Sequence, residues 1–106
     1  MSTHEAEEDI RNENVLININ GELFERGAAK VSVFDSGFLL GDGVWEGVRL
    51  YNGKWAFWEE HFDRLLEAAK AIDLDVGLSK GALFSMLEET RVQNKMRTDV
   101  HARLMI

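Results

Sequence analysis

The chain has 106 residues, 45% of them hydrophobic, and a formal net charge of -7 from 19 acidic against 12 basic residues. That length allows one domain with one modest core. The apolar share argues against a disordered chain, and the acidic balance disfavours nonspecific binding to nucleic acid or to an anionic membrane.

Cysteine is absent, which excludes disulfides and thiolate chemistry, and the three histidines are well separated in sequence and give no metal-ligating motif. No apolar run approaches the length of a membrane span, and the N-terminus lacks the hydrophobic segment of a signal peptide, so a cytoplasmic location is expected. Proline is absent too, so turns must rely on Gly, Asn, Asp and Ser.

Residues Met1 to Asn14 are polar and acidic, with Glu5, Glu7, Glu8, Asp9 and Glu13 against Arg11, and are expected to form a mobile tail ahead of a domain running from Val15 to Ile106. Val15 to Ile19 is β-branched and apolar, Asn20-Gly21 follows, and Glu22 to Phe24 continues on the other side. This predicts a hairpin, because Asn and Gly both tolerate the positive φ that tight hairpin turns need. Val31 to Phe34 reads as another short strand. Asp35 to Gly43 is glycine-rich. Its spacing matches no nucleotide-binding fingerprint, and tight turning is the better reading.

Val44 to Tyr51 reads as a strand with Val44, Glu46, Val48 and Leu50 on one face and Trp45, Gly47, Arg49 and Tyr51 on the other. Asn52-Gly53 turns it into a return strand, Lys54 to Phe57. A helix is predicted from about Glu59 to Ile72, with Phe62, Leu65, Leu66, Ala69 and Ile72 as its apolar stripe and Glu59 and Glu60 complementing the dipole of its first turn. Ser79 is a good N-cap for a second helix, Lys80 to Asn94, with Leu83, Met86, Leu87 and Thr90 inward. Val100 to Ile106 is a last strand containing Arg103. It ends in Leu104-Met105-Ile106 with no turn or cap, which leads us to expect a chain cut inside a strand. The fold expected is α+β: one antiparallel sheet of these strands with two helices on one face.

Several side chains admit two readings. Trp45 on a strand suits a core as well as a pocket wall. Arg64 is either a surface partner of Glu60, four residues earlier, or an anion ligand whose planar fork fits a phosphate. Arg103 within an apolar strand either points to solvent at an edge or meets an anion. Glu46 has no role beyond an ion pair or hydrogen bond in the sheet, and His61 reads as structural.

Taken together, Asp35-Ser36-Gly37-Phe38, Gly41-Asp42-Gly43-Val44-Trp45-Glu46, Tyr51-Asn52-Gly53 and His61-Phe62-Asp63-Arg64-Leu65, in that order and spacing, carry a resemblance. From about Asn14 to Ile106 the chain resembles the small N-terminal domain of class IV aminotransferases. These are the fold-type-IV, pyridoxal-phosphate-dependent group that includes branched-chain and D-amino acid aminotransferases and aminodeoxychorismate lyase.

The resemblance implies an enzyme that moves an amino group between an amino acid or amine and a 2-oxo acid, with a homodimeric assembly. It implies that Arg64 binds the cofactor phosphate. It also implies that Trp45, Leu40, His101 and Arg103 line the substrate site, with Leu40 replacing an aromatic residue and His101 replacing a tyrosine of the branched-chain group. Those two departures count against the branched-chain substrate class, and the alternatives are a lyase-like enzyme or a non-catalytic binding or dimerisation module. Such an enzyme needs a lysine for its cofactor. Lys30, Lys54, Lys70, Lys80 and Lys95 all lack the family context, so no catalytic residue is assigned within this chain and the C-terminal domain that carries the lysine is expected to be missing. When the 106-residue chain is mixed with pyridoxal phosphate, reduced with borohydride and digested, the expected result is slow, scattered labelling of exposed lysines. Stoichiometric labelling of one lysine, with a matching visible absorbance band, would overturn that expectation.

Overall fold

The computed structural model describes residues 9–106. It begins with a short 3-10 turn, Ile10–Asn12, where a mobile tail was expected. Asp9 caps it by accepting from the Arg11 amide and side chain, which gives this polar stretch local order without a core. The remainder of the expected tail, residues 1–8, lies outside the described residues.

The first hairpin forms as predicted, from β1 (Leu16–Ile19) and β2 (Glu22–Glu25). Asn20 and Gly21 take φ of 55° and 87°, the paired left-handed conformation that the Asn-Gly turn requires. Expectation and structure part company at the sheet. The hairpin stands as its own two-stranded sheet, and a separate three-stranded antiparallel sheet carries the rest. Val31 to Phe34 joins neither sheet. Its residues lie exposed in an irregular stretch, because β-branched side chains favour extended backbone but cannot supply the missing ladder partner. The glycine-rich stretch does turn tightly, but it does so around a short helix, α1 (Ser36–Leu40). Asp35 caps its start by accepting from the Gly37 amide, and Gly41 ends it at φ 74°.

The larger sheet has the order β4-β3-β5, with β3 (Trp45–Tyr51) central, β4 (Lys54–Trp55) on one side and β5 (Val100–Met105) on the other, all antiparallel. β4 is shorter than the predicted return strand. The ladder closes with the Ala56 amide donating to the Arg49 carbonyl at 2.9 Å, and Phe57 then turns left-handed at φ 54° to start the next helix.

That helix, α2 (Trp58–Ala71), and α3 (Lys80–Gln93) lie within about a residue of their predicted bounds, with the Ser79 hydroxyl capping α3 by accepting from the Ala82 amide. They cover one face of the β4-β3-β5 sheet. Val48 and Leu50 of β3 and Trp55 of β4 meet Phe62 of α2 and Leu83 and Leu87 of α3 in one cluster. Leu65 and Ala69 are buried as predicted, whereas Ile72 lies beyond the helix end and is half-exposed. Trp58 spans the two helices, edge-on to Phe62 at 5.5 Å and tilted against Phe84 at 4.2 Å.

Asn94, just past α3, ties the hairpin to this core. Its side-chain amide donates to the Leu16 carbonyl at 3.0 Å, and its side-chain oxygen accepts from the Leu16 amide at 2.7 Å, standing in for a strand partner on the free edge of β1. The fold is α+β as expected, with two antiparallel sheets and three α-helices among the described residues. No helix among the described residues is long and apolar enough to cross a membrane. Phe62 is fully buried at 0% exposure, so Phe62→Ala is expected to cost about 3–5 kcal/mol in urea unfolding, from lost transfer energy plus the cavity left behind. A loss below about 1 kcal/mol would mean the helix-to-sheet core is not packed as described.

Candidate functional site

The site is built on the alternation of β3. Glu46, Val48 and Leu50 point toward the helices and are buried, while Trp45, Arg49 and Tyr51 are exposed on the opposite face. This division matches the predicted one for the residues within the strand and decides the place of every candidate side chain.

Glu46 is the anomaly on the inner face: a carboxylate 7% exposed among apolar neighbours. Burying it is tolerable only if it is paired and hydrogen-bonded. The first turns of α2 supply both. Arg64 Nη2 donates to Glu46 Oε2 at 2.9 Å, Arg64 Nε donates to Glu46 Oε1, and His61 Nδ1 lies 3.2 Å from Oε2. The pair is bidentate, with the plane of the guanidinium fixed against the carboxylate. Arg64 is therefore no partner of Glu60. His61 and Arg64 sit three residues apart on one face of α2 and close on the same acid. The hydrogen bond from Arg64 lowers the Glu46 pKa below its ordinary 4.5, helped by His61 and opposed by burial. Glu46 raises that of Arg64 in turn. The Arg64 side chain is nevertheless 68% exposed: it is held from inside and open to solvent outside.

Trp45, His101 and Arg103 come together on the outer face. The Arg103 guanidinium stands 4.5 Å from the centre of the Trp45 ring, a cation–π contact across the β3–β5 pair. Trp45 is 57% exposed and so lies outside the core. The His101 ring lies against the backbone of Gly47, where a Cβ would come within 2.6 Å of it. Gly47 thus makes the space that His101 fills. A glycine inside a strand pattern is the sequence sign of such a close approach, and the sequence reading gave it no weight.

Leu40 is exposed at the end of α1, five residues before the start of β3 in the chain. The three strands place Arg49, Arg103, Lys54 and His101 on this outer face and no carboxylate, although the whole chain is acidic. Arg64 belongs to a different cluster: its anchor, Glu46, faces away from the side of β3 that carries Trp45. Among the described residues no group of His, Asp and Glu could hold a metal ion.

No protein-family model matches the chain. Individual proteins do. The D-alanine aminotransferase of Listeria monocytogenes serotype 4b is 45% identical over 80 residues, which is 76% of this chain and 28% of that protein. The solved branched-chain amino acid aminotransferase from Escherichia coli superposes with a TM-score of 0.81 at 28% identity, over 89% of this chain and 33% of that one. A second solved branched-chain amino acid aminotransferase (from T.th.), complexed with N-(5'-phosphopyridoxyl)-L-glutamate, gives 0.79 at 25% identity, over 88% of this chain and 32% of that one. The chain spans less than a third of the length of the curated relatives it matches.

The Glu46 pair has a pH consequence. Its folded pKa is lowered, so the unfolded chain binds the proton more readily. The stability it contributes is present above the ordinary value of 4.5 and is lost as pH falls through the folded pKa. Urea unfolding from about pH 6 down to about pH 3 is expected to show the gap between wild type and Glu46→Gln narrowing with acid. A gap constant over that range would mean that Glu46 is not the titrating partner.

Proposed function

We propose that this chain, homologous to branched-chain and D-alanine aminotransferases and matching their N-terminal domain, serves as the small domain of a pyridoxal-phosphate-dependent aminotransferase. The observation that carries this reading is Arg64. Its guanidinium is fixed by Glu46 along one edge and open to solvent on the rest, which leaves donors available to a phosphate. The residues present fit the cofactor in that respect. When bound, pyridoxal phosphate supplies the electron sink for chemistry at the substrate's α-carbon.

The chain's own residues bind and orient. Arg64 holds the phosphate by charge-assisted hydrogen bonds. Arg103, kept in place by the Trp45 ring, offers its donors to a substrate carboxylate, and the Trp45 indole and Leu40 give that site apolar walls. His101, seated on Gly47, lies on the same face and adds a polar contact for the same carboxylate. An outer face with cations and no competing carboxylate suits amino acid and 2-oxo acid substrates, which are anionic at that group. The substrates are an amino acid, branched-chain-like or of D configuration, or an amine, together with a 2-oxo acid. In this reading the cofactor lysine is supplied by the enzyme's larger domain, and the working enzyme is a homodimer.

The test is a cofactor titration into the full-length protein. Arg64→Ala is expected to weaken affinity for pyridoxal phosphate by roughly ten- to a hundredfold, and Arg64→Lys to recover part of it, because an ammonium lacks the planar fork. Equal dissociation constants for wild type and Arg64→Ala would overturn the assignment of Arg64.

A further inference from the structure

Glu46 has no part in the chemistry just described, yet it is the one acidic side chain buried among the described residues. Its cost is met entirely by two residues of α2, and both of its oxygens are used. One edge of the Arg64 guanidinium, Nε and Nη2, faces those oxygens. A guanidinium has five donors in a rigid plane, so fixing one edge also fixes the direction of the others. An arginine of this exposure would otherwise sample many rotamers, and a ligand would have to order it on binding. His61 restrains the acid in turn: its Nδ1 lies 3.2 Å from Oε2, and in the tautomer that carries the proton there it donates to the carboxylate from a second side.

We infer that Glu46 is the positioning residue for Arg64. Buried in β3 and buttressed by His61, it holds the guanidinium edge-on so that the remaining donors are presented to a phosphate group in a preset plane. The inference rests on the reading of Arg64 as the phosphate ligand and adds to it a cause for its orientation. It also gives His61 work one step further back. A residue acting this way leaves no contact of its own with the ligand. In ligand binding, its loss should appear as loss of preference for the phosphorylated form, and only while Arg64 is present.

The experiment compares binding of pyridoxamine 5'-phosphate and of pyridoxamine to the cofactor-free full-length protein, by quenching of tryptophan fluorescence. The variants are Glu46→Gln, Arg64→Ala and the double variant. The expected result is that Glu46→Gln lowers the preference for the phosphorylated ligand by about three- to tenfold, the scale for ordering one long side chain at binding, with pyridoxamine affinity unchanged. In the Arg64→Ala background the same change has no further effect.

A wild-type preference in Glu46→Gln overturns the inference. So does an equal loss for both ligands, which marks a merely structural role, and so does an effect that persists without Arg64. If Arg64→Ala itself keeps the wild-type preference, the phosphate reading falls and this inference with it, whereas dependence on Arg64 without dependence on Glu46 sinks the inference alone. Should Glu46→Gln not fold, Glu46→Asp keeps the charge but withdraws it by one methylene. The same loss of preference is expected from it, and a retained preference overturns the inference equally.

Discussion

A strand has two faces, and in this domain the two faces of β3 have separate duties. Val48 and Leu50 go inward and anchor the core against Phe62, Leu83 and Leu87, while Trp45, Arg49 and Tyr51 go outward to a surface rich in cations. The period of two leaves no freedom here. A slip of one residue in register would bury Arg49 and expose Leu50. The pairing of β3 with β5 fixes that register over six residue pairs, and the same pairing brings Arg103 over Trp45 and His101 over Gly47. Stability and site geometry therefore follow from one set of backbone hydrogen bonds, and the sheet cannot rearrange for one purpose without undoing the other.

Glu46 is where the inward face departs from hydrophobicity. A leucine there would extend the core at little cost, and replacing a buried ion pair by packed apolar groups is often neutral or stabilising. What an apolar residue would not do is hold an exposed arginine in a fixed plane. Arg64 has little to order it from outside, since its side chain is mostly in water. An exposed ion pair of this kind normally contributes little because solvent screens it. Here one member is buried, so the carboxylate has strong need of its partner while the guanidinium remains available to others. The asymmetry in burial, rather than the strength of the pair, is what leaves the guanidinium both fixed and accessible.

Much of this was legible from residues alone. Both Asn-Gly turns formed hairpins, and both amphipathic periods formed helices near their predicted bounds, because each signal is local and the partner needed is a near neighbour. Readings that depended on distant partners fared worse. Val31 to Phe34 had the composition of a strand, but no strand lay beside it. The role of Glu46 could not be read from β3, since its partners lie 15 and 18 residues away on a helix whose rotation is set by packing. For the same reason the Arg64–Glu60 pairing, the natural guess from helical spacing, lost to a contact across elements. The Asn94 clasp on Leu16 spans 78 residues and left no local mark beyond its place at the end of a helix.

The link between β3 and α2 is a very short piece of chain. β4 has only two residues, and after Ala56 closes the ladder onto Arg49, Phe57 takes a left-handed conformation and α2 begins at Trp58. For a bulky residue that conformation costs about 1–2 kcal/mol relative to a right-handed one, and an exposed ring recovers little of it by burial. The cost has a geometric return. Reversing direction within two residues starts the helix close to the strand it has just left, so that His61 and Arg64, in its first two turns, reach back to Glu46 on the neighbouring strand β3. A wider, relaxed loop would begin α2 further along and carry both side chains past the carboxylate. The strain at Phe57 and the buried charge at Glu46 are then two costs of one construction, each tolerated because the other element holds Arg64 where the core alone would not.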